Sequence, residues 1–194
     1  MRIGIFGGTF DPIHRTHVAI GRAALEHKSL DRVLFVVSAD PPHKGGDEIT
    51  PADIRFAMVA AALRDEPGLE PSDLELHREG PSYTADTLET LRGMYPDAEF
   101  YLIIGQDALM DLPRWRAPDV ILREARLLVL PRPSLVTAHP PALDGRYELL
   151  PFEESTLSST DIRQRLLDGE LVDDCLPPAV LRIVEEEGLY HAHR

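Results

Sequence analysis

The run Val33–Val37 inside Arg32–Ser38 (RVLFVVS) is apolar at every position and rich in β-branched residues. A strand of that kind has no polar face to offer to water, so both its faces must be covered. Arg2–Phe6 (RIGIF), Glu99–Gly105 (EFYLIIG) and Arg126–Leu130 (RLLVL) have the same character. Between them lie helical stretches. His14–His27 carries apolar or small residues at Val18, Ala19, Ala23 and Leu25. Thr50-Pro51-Ala52-Asp53 has the chemistry of a helix start, with Thr50 as N-cap and Pro51 at the first helical position, and that helix is predicted to run to Arg64. Thr84–Tyr95, Pro118–Glu124, Ser159–Leu167 and Pro178–Glu187 read as further helices. Leu74–His77 and Tyr147–Phe152 read as short strands, and Ala39–Ile49, Pro67–Pro71 and Pro131–Pro141 as loops. Apolar strands alternating with helices predict an α/β fold with a mostly parallel sheet and helices on both faces. Ligands of such sheets bind beyond the carboxyl ends of the strands, near a switch in strand order.

The length, 194 residues, suits a single domain over 1–194 with a sizeable core. A formal net charge of -13 argues against a nucleic-acid binder, which needs a basic face. It leaves open an anionic small molecule, which needs only a local positive site. Cys175 is the one cysteine, so no intrachain disulfide forms, a reducing compartment fits, and a small apolar role is expected of it. The start MRIGIFGG is too short an apolar stretch for a signal peptide, and no run approaches the ~20 residues of a membrane span. The expected location is cytoplasmic, with no membrane partner, as a monomer or homodimer.

Two constellations follow strands or open helices, where anions bind. Gly7-Gly8-Thr9-Phe10-Asp11-Pro12-Ile13-His14 comes directly after the first strand, with His17 three residues on. Glycines there admit backbone N–H groups to an oxyanion, and the following helix start adds its positive dipole end. His14 and His17, at i and i+3, share a helical face and can donate to a polyphosphate. At the other end of the chain, Ser158-Ser159-Thr160-Asp161-Ile162-Arg163 opens a helix. Its hydroxyls can cap the helix or bind phosphate, and Arg163 adds a charged fork one turn in. For each motif taken alone the ordinary reading, a tight turn or a capped helix, stands beside the functional one. Together they predict that the first and last thirds of the chain converge on one phosphate pocket.

The string GGTFDPIHxxH resembles the signature of the nucleotidyltransferase α/β phosphodiesterase superfamily, and is especially similar to bacterial nicotinate-mononucleotide adenylyltransferases. Thr16 stands where that family usually has glycine in HxGH. SSTDIR resembles the family's SSTxIR, PPHK at 41–44 its substrate-side loop, and Gly105-Gln106-Asp107 its GxD. Tyr83-Thr84-Ala85-Asp86-Thr87 resembles YTxDTL, and Leu176–Tyr190 the closing helix. The resemblance implies a Rossmann-like, doubly wound α/β fold. It implies ATP contacts by Gly7, Gly8, Thr9, Phe10, Gly105, Asp107, Ser158, Ser159 and Thr160, with His14, His17 and Arg163 catalytic. For the mononucleotide it implies Lys44, Thr84 and Trp115, the indole stacking on the pyridine ring. Arg116 stands where the family often has an aromatic residue, and is expected near the nicotinate carboxylate. Arg132, after a strand in LPRP, is a further phosphate candidate.

No nucleophile–base pair stands out in the sequence, and Cys175 has no motif around it. A direct in-line attack of the mononucleotide phosphate on the α-phosphorus of ATP suits these residues, with pyrophosphate leaving and Mg²⁺ arriving on the nucleotide rather than in a protein cage. The alternatives are a nicotinamide-mononucleotide or phosphopantetheine adenylyltransferase, or a nucleotide sensor without catalysis on the same fold. A nicotinamide-dependent dehydrogenase is disfavoured because GxGxxG does not follow the first strand.

Overall fold

The computed structural model describes residues 1–40, 49–131, 143, 145–153 and 157–190. Its strands are β1 (Arg2–Gly8), β2 (Arg32–Val37), β3 (Leu69–Ser72), β4 (Glu99–Gly105), β5 (Ala125–Leu130) and β6 (Tyr147–Leu149). The helices are α1 (Arg15–His27), α2 (Ala52–Leu63), α3 (Thr84–Met94), α4 (Gln106–Asp111), α5 (Pro118–Glu124), α6 (Ser159–Leu167) and α7 (Pro178–Glu186), with a 3₁₀ turn at Leu112–Arg114. The six strands form one sheet in the order β3-β2-β1-β4-β5-β6. Every neighbouring pair is parallel. The order reverses between β1 and β4, and this is the doubly wound arrangement whose ligand crevice opens at that switch. Among the described residues no helix is long and apolar enough to cross a membrane.

The uninterrupted apolar strands are explained by two cores, one on each face. Val33, Phe35 and Val37 of β2 pack with Phe6, Tyr101, Ile103 and Leu128 beneath α1, α2, α6 and α7. Leu34 and Val36 point the other way, with Ile3, Ile5, Leu102 and Val129, beneath α3, α4 and α5. Alternate side chains of one strand therefore serve different layers, and no position is left for a polar residue.

Three sequence expectations change. The strand predicted at Leu74–His77 is a turn, and the true third strand is Leu69–Ser72, overlapping the stretch Pro67–Pro71 expected to be a loop. Pro71 is tolerated because β3 lies at the sheet edge. The apolar alternation that suggested a strand has another cause: Leu74 packs on one core and Leu76 on the other. At α2, Pro51 rather than Thr50 is the N-cap, and the Thr50 hydroxyl donates to Tyr190 Oη instead (3.1 Å). The last strand stops at Leu149, before Pro151. Cys175 is fully buried, which holds its thiol above its usual range.

Gly21 lets α1 lie close over β2. A Cβ there would stand 2.6 Å from Phe35 Cζ, and Phe35 is itself enclosed. Replacing glycine by alanine inside a helix gains about 1 kcal/mol of propensity. Overpacking a core costs about 1–3 kcal/mol. Gly21→Ala is therefore expected to destabilise the chain by up to about 2 kcal/mol, read as a lower urea midpoint; a raised midpoint would show that the helix lifts away freely.

Candidate active site

β1 runs through both glycines, pairing Gly7 with Val36 and Gly8 with Val37, rather than stopping at them. The sharp turn follows at Thr9–His14. Phe10 takes a positive φ of 51°, and its ring is buried edge-on against Phe6 (5.7 Å) and His17 (5.1 Å). Only the backbone of Phe10 remains to meet a ligand. A Cβ on Gly8 would strike that ring at 2.9 Å, while one on Gly7 would meet no protein atom within 4 Å. Gly8 thus serves the packing of the turn, and Gly7 faces open space beside a cavity.

The turn is held from three distant parts of the chain. Arg55 of α2, only 1% exposed, donates to the carbonyls of Thr50 (2.7 Å), Thr9 (2.7 Å) and Ala39 (3.4 Å). Burial works against its charge, and the nearby Asp11 supports it. Arg163 of α6 donates from Nη1 to the Asp11 carbonyl (2.8 Å), and the Ser159 hydroxyl donates to the Pro12 carbonyl (2.9 Å). The Asp11 carboxylate, also buried, accepts from Tyr190 Oη and from the Thr50 amide (3.4 Å). Burial, and then the bond to Asp11, raise the Tyr190 phenol well above its usual range, so it stays the donor. The predicted convergence of the chain's first and last thirds is therefore a set of direct hydrogen bonds.

Two cavities flank this centre. One, about 280 Å³, is lined by His14, Thr16, His17, Gly105, Ser158 and Ser159 among others. His14 is the N-cap residue of α1, and its ring lies against that of His17 with centroids 3.8 Å apart. His17 is half-buried. Burial lowers His14 to about 4. Burial, with His14 adding to it, also holds His17 well below its usual value. Both rings are thus neutral at pH 7, and neither presents a cation. The His14 amide donates to His17 Nδ1 (3.3 Å), which leaves the proton of the neutral His17 ring on Nε2. Ser158 caps α6 by accepting from the Asp161 amide (3.1 Å), as its position in the sequence suggests. Ser159 has committed its proton to Pro12, so its hydroxyl can only accept. Thr160 is exposed and accepts from Arg163 (3.5 Å). Asp107 lies exposed in the first turn of α4.

The second cavity, about 330 Å³, opens on the other side of the β1 end. Gly7, Gly8, Thr9, Thr84, Trp115 and Arg116 all line it. Trp115 is half-buried at the edge of the core beneath α3, α4 and α5. The Arg116 guanidinium is engaged, 3.0 Å from Asp86 and stacked 4.7 Å from the Tyr83 ring centroid. α3 opens at Thr84 with no side-chain cap, so its first N–H groups remain for an anion in this cavity. Lys44 and Arg132 lie outside the described residues. Asp11, Arg55, Tyr190, Ser82 and Glu75 join the site without having been singled out in the sequence. Asp11 lies inside the quoted motif, but only its depth reveals its task. Arg55 and Tyr190 sit in segments whose pattern reads as packing.

Protonation of His14 is opposed by the fold, and the sign follows directly. Above about pH 6.5 the ring is neutral folded or unfolded. Between there and about pH 4 the unfolded chain takes up a proton that the folded chain refuses, so stability falls as pH falls. Urea titrations over that window should lose about 1.4 kcal/mol per pH unit more in the wild type than in His14→Asn; equal slopes would mean the ring is not opposed. Tyr190→Phe removes a donor to a buried carboxylate and should cost about 1–3 kcal/mol by the same measurement, whereas an unchanged midpoint would show that Asp11 is held without it.

Comparisons with known proteins agree with this geometry. The cytidylyltransferase-like family model matches residues 5–165. A relative from Thermus thermophilus, named "probable nicotinate-nucleotide adenylyltransferase", is 41% identical, with 98% of this chain and 100% of the relative covered. Relatives of the same name from Roseiflexus sp. and Thermomicrobium roseum are 42% and 40% identical, covering 97% of this chain in each case and 97% and 91% of their own lengths. Among solved structures, Plasmodium falciparum nicotinic acid mononucleotide adenylyltransferase complexed with NaAD superposes with a TM-score of 0.79 at 20% identity, over 97% of both chains, which shows a shared fold. By its matched family model, its near-full-length relatives and its sheet order, the chain belongs to the cytidylyltransferase-like family and, within it, to the nicotinate-nucleotide adenylyltransferases.

Proposed function

We propose that the chain transfers the adenylyl group of ATP to nicotinate mononucleotide, giving nicotinate adenine dinucleotide and pyrophosphate, a step of NAD synthesis. The observation that carries the reading is the joining of the two anion-binding turns by the Arg163–Asp11 and Ser159–Pro12 bonds, with a cavity on each side. The cavity at His14, His17, Gly105 and the α6 start takes ATP. The cavity at Trp115 and the α3 start takes the mononucleotide, its ring on the indole and its ring carboxylate at the uncapped N–H groups. Those N–H groups favour the acid over the amide, since they supply donors and a positive dipole end. Arg116, already paired with Asp86, shapes that wall and lends part of its charge.

The reaction is a direct displacement. The mononucleotide phosphate oxygen forms a bond to the α-phosphorus of ATP, the bond to the β-phosphate oxygen breaks, and pyrophosphate departs with the electron pair. The attacking phosphate is already an anion and needs no general base. The protein's tasks are alignment and stabilisation of charge. Two unit like charges ~4 Å apart repel by about 4 kcal/mol at an effective dielectric near 20. Arg163, the N–H groups opening α6, and the His17 Nε2–H donor offset this, with Lys44 as a further cation. ATP is taken as its magnesium complex. Among the described residues no three His, Cys, Asp or Glu side chains gather where they could hold a metal. The reading gives magnesium its place on the nucleotide phosphates.

The test is pyrophosphate release from ATP and magnesium with nicotinate mononucleotide, its amide and phosphopantetheine in parallel. Nicotinate mononucleotide should be the best acceptor. Release only with phosphopantetheine, or ATP binding with no release at all, would overturn the reading. His17→Ala should lower kcat by a factor on the order of 10²–10³ with a smaller effect on stability, and near-normal turnover would remove His17 from the phosphate site.

A further inference from the structure

Glu75 lies in the turn between β3 and α3, only 6% exposed. The turn is closed by the Leu76 amide on the Asp73 carbonyl (2.8 Å) and the Arg78 amide on the Glu75 carbonyl (3.2 Å), so the backbone beneath the side chain is fixed. One carboxylate oxygen is committed: Thr87 Oγ1, in the first turn of α3, donates to Oε1 (2.5 Å). Arg78 Nη2 approaches the same hydroxyl at 3.5 Å and donates to it, leaving the Thr87 proton for Glu75. The other oxygen, Oε2, is buried and meets no donor. Glu75 nevertheless lines the 330 Å³ cavity, in the company of Gly7, Ser82, Thr84 and Trp115. Leaving a carboxylate oxygen buried without a donor is costly, and on a residue that lines a cavity it calls for a partner that arrives with the ligand.

The chemistry of the ligand narrows what that partner is. This step rests on the reading of the cavity as the mononucleotide site. A carboxylate oxygen accepts hydrogen bonds and cannot donate them. In nicotinate mononucleotide at neutral pH the phosphate and the ring carboxylate are acceptors as well, and both would be repelled. The donors that remain are the ribose 2′ and 3′ hydroxyls. We propose that Glu75 Oε2 accepts a hydrogen bond from a ribose hydroxyl of the mononucleotide, making Glu75 a substrate-binding residue of this enzyme. The two ends of the nucleoside are then sorted by sign. The ring carboxylate goes to the N–H groups opening α3, and the ribose goes to the carboxylate that Thr87 of the same helix holds in place.

The experiment compares wild type with Glu75→Gln on nicotinate mononucleotide and its 2′-deoxy and 3′-deoxy forms, at saturating ATP. The first effect is read in the wild type alone, which should bind one of the two deoxy forms about 10- to 100-fold more weakly, measured as KM. Glu75→Gln keeps the Thr87 bond through its carbonyl and loses the charge-assisted one. It should raise KM for the parent nucleotide by about tenfold and treat parent and deoxy forms nearly alike. Two results overturn the proposal: neither deoxy form is disfavoured by the wild type, or the same discrimination persists in Glu75→Gln. A parallel series replaces ATP by 2′-deoxy-ATP at saturating nicotinate mononucleotide, and a penalty confined to that series, and erased in the variant, would also overturn the proposal by giving the hydroxyl to ATP. Failure of the functional reading looks different: the wild type would release no pyrophosphate with nicotinate mononucleotide. Calorimetric titration of the same nucleotides without turnover then still reads whether the ribose hydroxyl and Glu75 are coupled.

Discussion

The turn after β1 carries carbonyls and a carboxylate below the protein surface, and every one of them needs a donor. That requirement organises the site. Arg55 reaches up from α2, Arg163 and Ser159 reach across from α6, and Thr50 and Tyr190 close on the Asp11 side chain. Removing one donor of this kind typically costs about 1–3 kcal/mol, because the abandoned partner stays buried. The donors are therefore more than braces. They define one position of the turn, and through it the placement of His14 as the residue that opens α1.

The doubly wound sheet explains why there are two cavities rather than one. β1 is the central strand at the reversal of order, and its end divides the crevice. On one side the wall is α1 and α6, with neutral imidazoles and serine hydroxyls. On the other it is α3 and the Trp115 segment. On the proposed reading, a chain with a net charge of -13 takes two anionic nucleotides there because the relevant field is local. It comes from helix starts and from Arg163, and much of the surplus acid lies on exposed surfaces.

Much of the fold was legible in the strands. Residues such as Val33–Val37 have only one way of being buried, and the alternation with helices then leaves a parallel sheet. The edge was harder: β3 is four residues long and contains Pro71, so propensity pointed away from a strand that edge geometry permits. Within the site, Gly7, His14, His17, Trp115 and the serine turn announce themselves through spacing and motif. What spacing cannot reveal is commitment. Ser159 spends its proton on Pro12, Arg116 is paired with Asp86, Phe10 turns its ring inward, and the histidines are neutral because they are enclosed. Glu75 and Arg55 gain their meaning only from depth, which is set by contacts across the sheet and leaves no local trace in the chain.

The bond between Tyr190 and Asp11 spans 179 residues of sequence. On a ribosome adding roughly 5–20 residues per second, the loop would wait roughly 10–35 s after its own emergence before that partner is made. During translation β1, β2 and α1 can pair early, yet the phosphate turn lacks its late-arriving ligands from α6 and beyond. The turn therefore reaches its final, fully bonded form only when nearly all of these residues have been synthesised, and a nascent chain holds β1 before it holds the donors that fix the turn beyond it.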